Sequence, residues 1–597
     1  MTDPASTTLA APRLALGDGD TAYEAAVERA RTEAWAARLF DRDVTLWSAD
    51  PRVGEAIAKR LGWLDAPAHF TGQIPSLEAF GDAVVAQGFT TAVVAGMGGS
   101  SLAPDILHRT FGSLEGYLAL RILDSTDPAY VAATLDDLDP LRTLVIIASK
   151  SGTTTEPNAF LAYAWDRADG ALKAIPHHVY EHPGAFFVAV TDPGKSVEAI
   201  EHTDDFREVF LNPPDIGGRY SALTYVGLVP ASLIGIDLDP LLASGSAMLE
   251  ACREPDPAHN PGLSLGLAMG TLAKAGRDKL TFLTDDEIVA FGAWAEQLIA
   301  ESTGKHGVGI VPVDLEPLGA VEAYGTDRTF VRLALAGVAG TERDALADAL
   351  EAAGHPVIRI ELADPIDLGA EAVRWEVATA IAGAVLGIDP FDQPNVEEAK
   401  QLTRERLEGR GEGADRRSTD AAGEPGPIAR DDDLALFGDA AMRLTAGDGD
   451  GDVATELGRH LQRRRPNAYL CLQAFIAPTP ARDAALARIR TLLRDRTKRA
   501  TTAGYGPRFL HSTGQLHKGG APLGWFLQLT SDHPADLEIP GWPYTFGQLI
   551  DAQAAGDFGA LESHDLPILR VHLGADPDAG LAALERALDA ALDKAEA

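Results

Sequence analysis

The chain of 597 residues has only two cysteines, Cys252 and Cys471, far apart in sequence. That excludes a disulfide framework and a cysteine-based metal site, and it fits a reducing compartment. Basic residues are also scarce: 51 Lys and Arg stand against 88 Asp and Glu, giving a net charge of −37 and a pI near 4.7. A chain this acidic makes a poor nucleic-acid binder, because phosphate contacts need clustered Lys and Arg. The charge instead serves solubility or a saline interior, and an anionic ligand would need a local positive pocket. No apolar run is long enough to cross a bilayer, so no membrane partner is expected. Even Ala222–Ile236 is interrupted by Thr224, Tyr225, Gly227, Pro230 and Ser232. The start, MTDPASTTLAAPRLALGDGD, has no basic segment followed by an apolar core, so a cytoplasmic location is expected. There is no Walker A pattern and no metal-ligand spacing. Neither a metal nor a cofactor is expected.

What is present is ample core and a repeated alternation. Hydrophobic residues make up 46% of the chain, ample for buried cores, and the length of 597 residues suggests about three to four ordinary domains or two large ones. Thr91–Ala95, Leu118–Leu123, Leu144–Ile147 and Phe186–Thr191 read as short buried strands with helices between them, and Val209–Leu211 as a weak fifth. This pattern implies a parallel sheet with helices on both faces. Ligands of such sheets sit beyond the carboxyl ends of the strands.

Two turns lie at that edge. The first, Ala148–Asn158 (ASKSGTTTEPN), places Ser149, Ser151, Thr153, Thr154, Thr155 and Lys150 between a strand and a helix start. Unpaired backbone N–H groups and the positive end of the helix dipole gather there, which makes a phosphate cradle. The bland alternative is an over-supplied helix cap, but five hydroxyls and a lysine in seven positions exceed what a cap needs. The second turn, Gly96–Ser101 (GMGGSS), is no dinucleotide fingerprint, because Ser101 stands where GxGxxG needs its last glycine. Either it only turns a strand tightly into a helix, or, as we prefer, Gly99 and Ser100 form a second wall of the same pocket.

Further on, Gly217, Gly218 and Arg219 combine close backbone approach with a fixed positive charge, although Arg219 serves equally as a structural ion-pair partner. A second alternating unit begins near Leu280. In it Asp285–Ser302 reads as a helix, with Gln297 and Glu301 four apart on one face and Gly304 as the stop. Pro394 opens a helix bearing Lys400, with Gln393 just ahead. By default Glu301 and Lys400 are solvated helix residues. Gly409–Asp433 is polar and Gly-rich and reads as a linker. GDGDGD at 447–452 reads as an acidic turn, since Arg459 stands where a calcium loop starting at Asp448 needs Glu. After Asn467 the alternation resumes, and Gly504–Gly520 reads as a glycine-punctuated loop carrying His511 and His517. A lone histidine is usually a satisfied or exposed side chain, but loops on such sheets carry function.

Taken together, GMGGSSLAP, ASKSGTTTEPNAF, GGRYSA, ESTGK, FDQPNVEEAK and LHSTGQ resemble the motif set of the glucose-6-phosphate isomerase family. The likeness spans roughly residues 70–575 and is nearest to the isomerase half of fused transaldolase/glucose-6-phosphate isomerase proteins. It implies an α/β fold of two SIS-type parallel-sheet αβα sandwich domains, plus an additional or rearranged C-terminal α/β block. The boundaries expected are a helical lead-in over 1–70, SIS domains over 71–250 and 251–408, a polar linker over 409–466, and a block over 467–597 completing the second domain.

The resemblance also implies roles. Ser149, Lys150, Ser151 and Thr154 hold a phosphate; Gly99, Ser100, Gly218, Gln297 and Gln393 line the sugar pocket. Glu301 moves a proton between C1 and C2, Arg219 steadies the enediolate, and Lys400 with His511 opens the ring. The partner implied is a hexose phosphate, with a homodimer and a functional link to a separate transaldolase. In ordinary family members the histidine stretch precedes the lysine motif and enters from the neighbouring subunit. Here the order is Glu301, Lys400, His511, with His517 as the fallback. A bifunctional phosphoglucose/phosphomannose isomerase, another SIS enzyme and a non-catalytic SIS sensor are the alternatives; a sensor needs a cradle but no base, and no N-terminal cysteine nucleophile supports an amidotransferase.

Overall fold

The structure is a computed structural model and describes residues 8–175, 179–338, 340–408, 426–445 and 451–596. Its strands form three separate sheets. The first has the order 119–123, 91–96, 143–148, 187–191, 208–211 and is parallel throughout. Its central strands, Thr91–Gly96, Thr143–Ala148 and Phe187–Thr191, are buried at every position. That explains their unbroken apolar runs, since helices cover both faces.

The second sheet pairs 357–362, 328–335, 279–284 and 311–313 in parallel, with Arg13–Ala15 added antiparallel at the edge. Part of the expected lead-in therefore belongs to this sheet: Arg13 pairs with Arg359 across nearly the whole unit. The long helix Leu368–Leu386 packs against Pro261–Lys274 and is buried along almost its full length.

The third sheet corrects the expected boundaries. Its order is 429–430, 435–438, 568–572, 524–530, 469–475, 500–505, and it shares no strand with the second sheet. The C-terminal block thus does not complete the second sheet. It has its own apolar core, in which Leu457, Leu470, Trp525, Leu569 and Leu584 meet. The region expected as linker supplies part of it. Ala435–Gly438 pairs antiparallel with Ile568–His572, and Val453–Gln462 is a helix capped by Asp452, whose carboxylate accepts from Thr455 N at 3.0 Å. Residues 409–425 and 446–450, which hold most of the polar stretch and of GDGDGD, lie outside the described residues. Among the described residues no helix is long and apolar enough to cross a membrane.

The carboxyl edge of the third sheet abuts that of the first. Arg508 donates to Asp105 at 3.0 Å and pairs with Asp124 at 3.2 Å. Ser125 Oγ donates to Gly506 O, and Thr126 Oγ1 donates to Gln553 Oε1 at 2.7 Å. The carboxyl edges of the two sheets therefore meet.

Candidate active site

The cradle turn is built as a nest of hydroxyls. Ser149 Oγ lies 2.9 Å from Thr154 Oγ1, and Ser151 Oγ lies 3.0 Å from Thr153 Oγ1. Gly152 takes φ +70, and a Cβ there would sit 2.0 Å from Ser196 O, so only glycine fits. No side chain caps the following helix, Thr155–Ala174. The hydroxyls pair with each other rather than capping the helix. Lys150 departs from the expected arrangement. Its ammonium lies 2.5 Å from Asp192 Oδ2 and 3.0 Å from Pro214 O, tying two loops together, and it is absent from the cleft wall. Burial pushes the Asp192 carboxyl up, and Lys150 only partly offsets it.

The glycine turn is explained by close approach. Gly98 has φ +58, and a Cβ on it would meet Gln297 Nε2 and His511 O, each at 2.7 Å. A Cβ on Gly99 would lie 2.1 Å from Gly218 O. Gly99 and Gly218 thus meet backbone to backbone, as Ser100 starts the adjoining helix Gly99–Phe111.

Glu301 is no solvated helix residue. Helix Phe291–Thr303 is almost entirely buried, and Glu301 is 8% exposed. The expected single helix from Asp285 is split: a short turn over Asp286–Ile288 precedes it. Glu301 Oε1 pairs with Arg219 Nη1 at 3.1 Å, and Gln297 Nε2 donates to Glu301 Oε2 at 3.2 Å. Arg219 is buried and held by four further hydrogen bonds, to Ser302 Oγ (2.7 Å), Gln393 Oε1 (2.7 Å), Pro390 O (2.8 Å) and Asp392 O (3.0 Å). Both the ion-pair role and a pocket role are open to it, because its partner is the candidate base. The same Gln297 amide donates to His511 O at 2.7 Å, linking the base to the third-sheet segment.

His511 and His517 differ sharply. His511 Nε2 lies 3.1 Å from Glu156 Oε1, and its side chain lines the cleft. Gln553 Nε2 donates to the same Glu156 oxygen at 2.6 Å. Burial pushes the Glu156 carboxyl up, but the charge and hydrogen bond of His511, with Lys400 further off, outweigh it and leave the group below its ordinary value. His517 sits instead among Tyr469, Phe509 and Phe526, 3.8 Å from Cys471 Sγ. Burial there holds it well below the usual imidazole range. His517, the fallback, is packed as a core residue.

The cleft is a cavity of about 170 Å³. Its walls include Ser151, Thr153 and Thr154 from the cradle, His511 and Glu156, and Lys400 from helix Val396–Glu408. Lys400 is 43% exposed, donates to Glu397 at 3.1 Å and lines the cavity with it. Three contributors were missed by the sequence reading: Glu156, Gln553 and the buried Lys518–Asp557 pair at 2.6 Å. Glu156 had a readable signal, an acid in the first turn of the cradle helix; the other two had none.

The family model described as "Phosphoglucose isomerase" matches residues 57–325. "Glucose-6-phosphate isomerase" of Rubrobacter xylanophilus is 32% identical over 382 residues, covering 54% of this chain and 84% of that protein. "Probable glucose-6-phosphate isomerase" of Natronomonas pharaonis is 31% identical over 352 residues, covering 53% and 78%. Among solved structures, a hypothetical protein from Thermus thermophilus superposes with a TM-score of 0.54 at 26% identity, covering 66% of this chain and 99% of that one.

Proposed function

The chain belongs to the glucose-6-phosphate isomerase family, and from that premise we propose that it interconverts glucose 6-phosphate and fructose 6-phosphate by proton transfer through a cis-enediolate. The observation that carries the mechanism is the buried Glu301–Arg219 pair at 3.1 Å, linked through Gln297 to His511. Aldose–ketose isomerisation needs a carboxylate next to the carbon that loses its proton. It also needs fixed positive charge where the oxyanion develops.

In this reading the phosphate rests on the Ser149–Thr155 turn, its charge met by first-turn amides and hydroxyls. Anchoring that end orients the sugar chain toward Glu301. His511, aligned by Glu156, exchanges a proton with the ring oxygen, and Lys400 supplies charge at the same wall. Glu301 then takes the C2 proton of the open aldose and returns it to C1. Arg219 stabilises the enediolate by its field, because four of its bonds are already committed to the protein. The likeness to the isomerase half of transaldolase fusions extends the proposal to a functional link with a separate transaldolase, tested by co-purification.

The test is Glu301→Gln, assayed from fructose 6-phosphate with coupled oxidation of the product, and by loss of deuterium from C2-labelled glucose 6-phosphate. General-base catalysis is worth about 10²–10⁴-fold, so both signals should fall by at least about 10²-fold. Undiminished exchange in a folded variant would refute the assignment of the base.

A further inference from the structure

One wall of the cleft has no role in the proton transfers just described. Tyr544 lines the cavity together with Leu510, Leu549 and Leu407, in company with the hydroxyl turn and Lys400. Three features of Tyr544 stand out. First, it is rigidly presented. It directly precedes the cap of helix Phe546–Ser563, where Thr545 and Gln548 form a reciprocal capping box at 3.2 Å each way. Thr545 Oγ1 also donates to Asp536 Oδ2 at 2.5 Å, and Gly547 N donates to Asp536 Oδ1 at 2.7 Å, so the turn is pinned twice. Trp542 packs edge-on against the Tyr544 ring, with centroids 5.5 Å apart.

Second, the phenol hydroxyl makes no hydrogen bond among the described residues, although partial burial and the nearby Glu156 carboxylate push its pKa up to about 12. It is therefore a protonated donor throughout the neutral range, with no protein acceptor among the described residues to compete for it. Third, it lines the same cavity as the His511–Glu156 pair and the hydroxyls of Ser151, Thr153 and Thr154. A pyranose offers an apolar C–H face and equatorial hydroxyls. An aromatic face with a donor at its rim complements both, in a pocket whose other walls are mostly polar, with Leu407, Leu510 and Leu549 as its main apolar patch.

We propose that Tyr544 is a substrate-contacting residue that selects the closed-ring sugar phosphate, packing its ring on the pyranose face and donating its hydroxyl to a sugar hydroxyl. The inference rests on the isomerase reading above. It assigns to this residue capture of the cyclic form, upstream of the proton transfer at Glu301.

The experiment compares wild type, Tyr544→Phe and Tyr544→Leu. It measures kcat and KM on glucose 6-phosphate, and inhibition constants for one cyclic analogue, 1,5-anhydroglucitol 6-phosphate, and one linear one, sorbitol 6-phosphate. Loss of one aromatic face is worth roughly threefold to tenfold in affinity. Tyr544→Leu should weaken the cyclic analogue by about tenfold, and Tyr544→Phe by about threefold through the lost hydrogen bond alone. The linear analogue should change less than about twofold in either, because a structural perturbation would move both analogues together. An unchanged cyclic-to-linear ratio in Tyr544→Phe, which keeps the packing, overturns the proposal whether or not Tyr544→Leu folds. A wild-type protein without isomerase turnover would instead sink the functional reading, so the two failures are distinguishable.

Discussion

Two histidines six positions apart on one glycine-punctuated segment meet opposite fates. His511 ends a short helical turn, Arg508–His511, at the carboxyl edge of the third sheet and faces Glu156 in the cleft. His517 lies on the next turn, Gly514–Gly519, which packs inward against the end of the Glu301 helix. The contact is tight: a Cβ on Gly304 would lie 2.3 Å from Leu516 Cα, and Gln515 Nε2 donates to Gly304 O at 2.9 Å. The short helix that carries His517 is thus the mortar that fixes the turn that carries His511. Proximity in sequence decided neither role; the direction of each turn relative to the sheet edge did.

The sharpest way to break this comparison is to replace each histidine with glutamine. His511→Gln should lower turnover on cyclic glucose 6-phosphate by about 10²–10⁴-fold, the range of a general acid–base group. His517→Gln should keep wild-type turnover per folded molecule. A folded His517→Gln that loses as much activity as His511→Gln would erase the distinction.

The next largest effect concerns what holds the His511 turn in place. Arg508 pairs with the buried Asp105 and Asp124 across the facing edges, and burial already pushes the Asp124 carboxyl up despite that cation. Arg508→Ala strands two carboxylates and should cost about 3 kcal/mol in urea unfolding. A loss under about 1 kcal/mol would mean that the edges are joined by apolar contact instead.

How much of this was legible beforehand depends on where partners lie in the chain. The first sheet was readable because its strands are continuous apolar runs and its functional turns are local. The third sheet was not. Ala500–Tyr505 (ATTAGY) has no apolar periodicity, and it is a strand only because Tyr469–Phe475 pairs with it. Arg13–Ala15 is three residues long and becomes a strand through a partner at 357–359. The Glu301 and Gln297 spacing predicted a shared helix face correctly, but nothing local said that Arg219, 82 positions earlier, would meet that face. Lys150 shows the converse error: its position in a phosphate-like turn was clear, while Asp192, which captures its ammonium, was not.

A smaller effect tests the alignment of His511. Glu156→Gln keeps the hydrogen bond from Gln553 but removes the carboxylate, and should reduce turnover by about tenfold. It should also alter the acid limb of stability. Glu156 has a folded pKa below its ordinary 4.5, so its contribution is fully present above pH 4.5 and is lost as pH falls through the folded value. The variant should therefore show a shallower decline of Tm below pH 4.5; an identical decline would show that the pairing is not felt in solution.

The smallest effect belongs to His517. Its folded pKa lies well below the ordinary 6.5 because the neutral ring is buried. The unfolded chain takes up a proton below pH 6.5 that the native state does not, so stability is full above 6.5 and declines as pH falls below it. In His517→Gln that part of the decline between pH 6.5 and about 5 should disappear, read as a flatter Tm against pH. An unaltered slope would place the ring in solvent and undo the contrast with His511.

The central claim is that one chain assembles the whole constellation, with Glu301 on the second-sheet unit and His511 on the third-sheet unit, joined through Gln297. The direct measurement is isomerase activity in a co-expressed mixture of Glu301→Gln and His511→Gln chains. A site completed within each chain predicts activity no higher than the sum of the separate variants. Recovery to about a quarter of the wild-type level, the share of intact sites in a random two-fold dimer that exchanges the histidine between subunits, would contradict it.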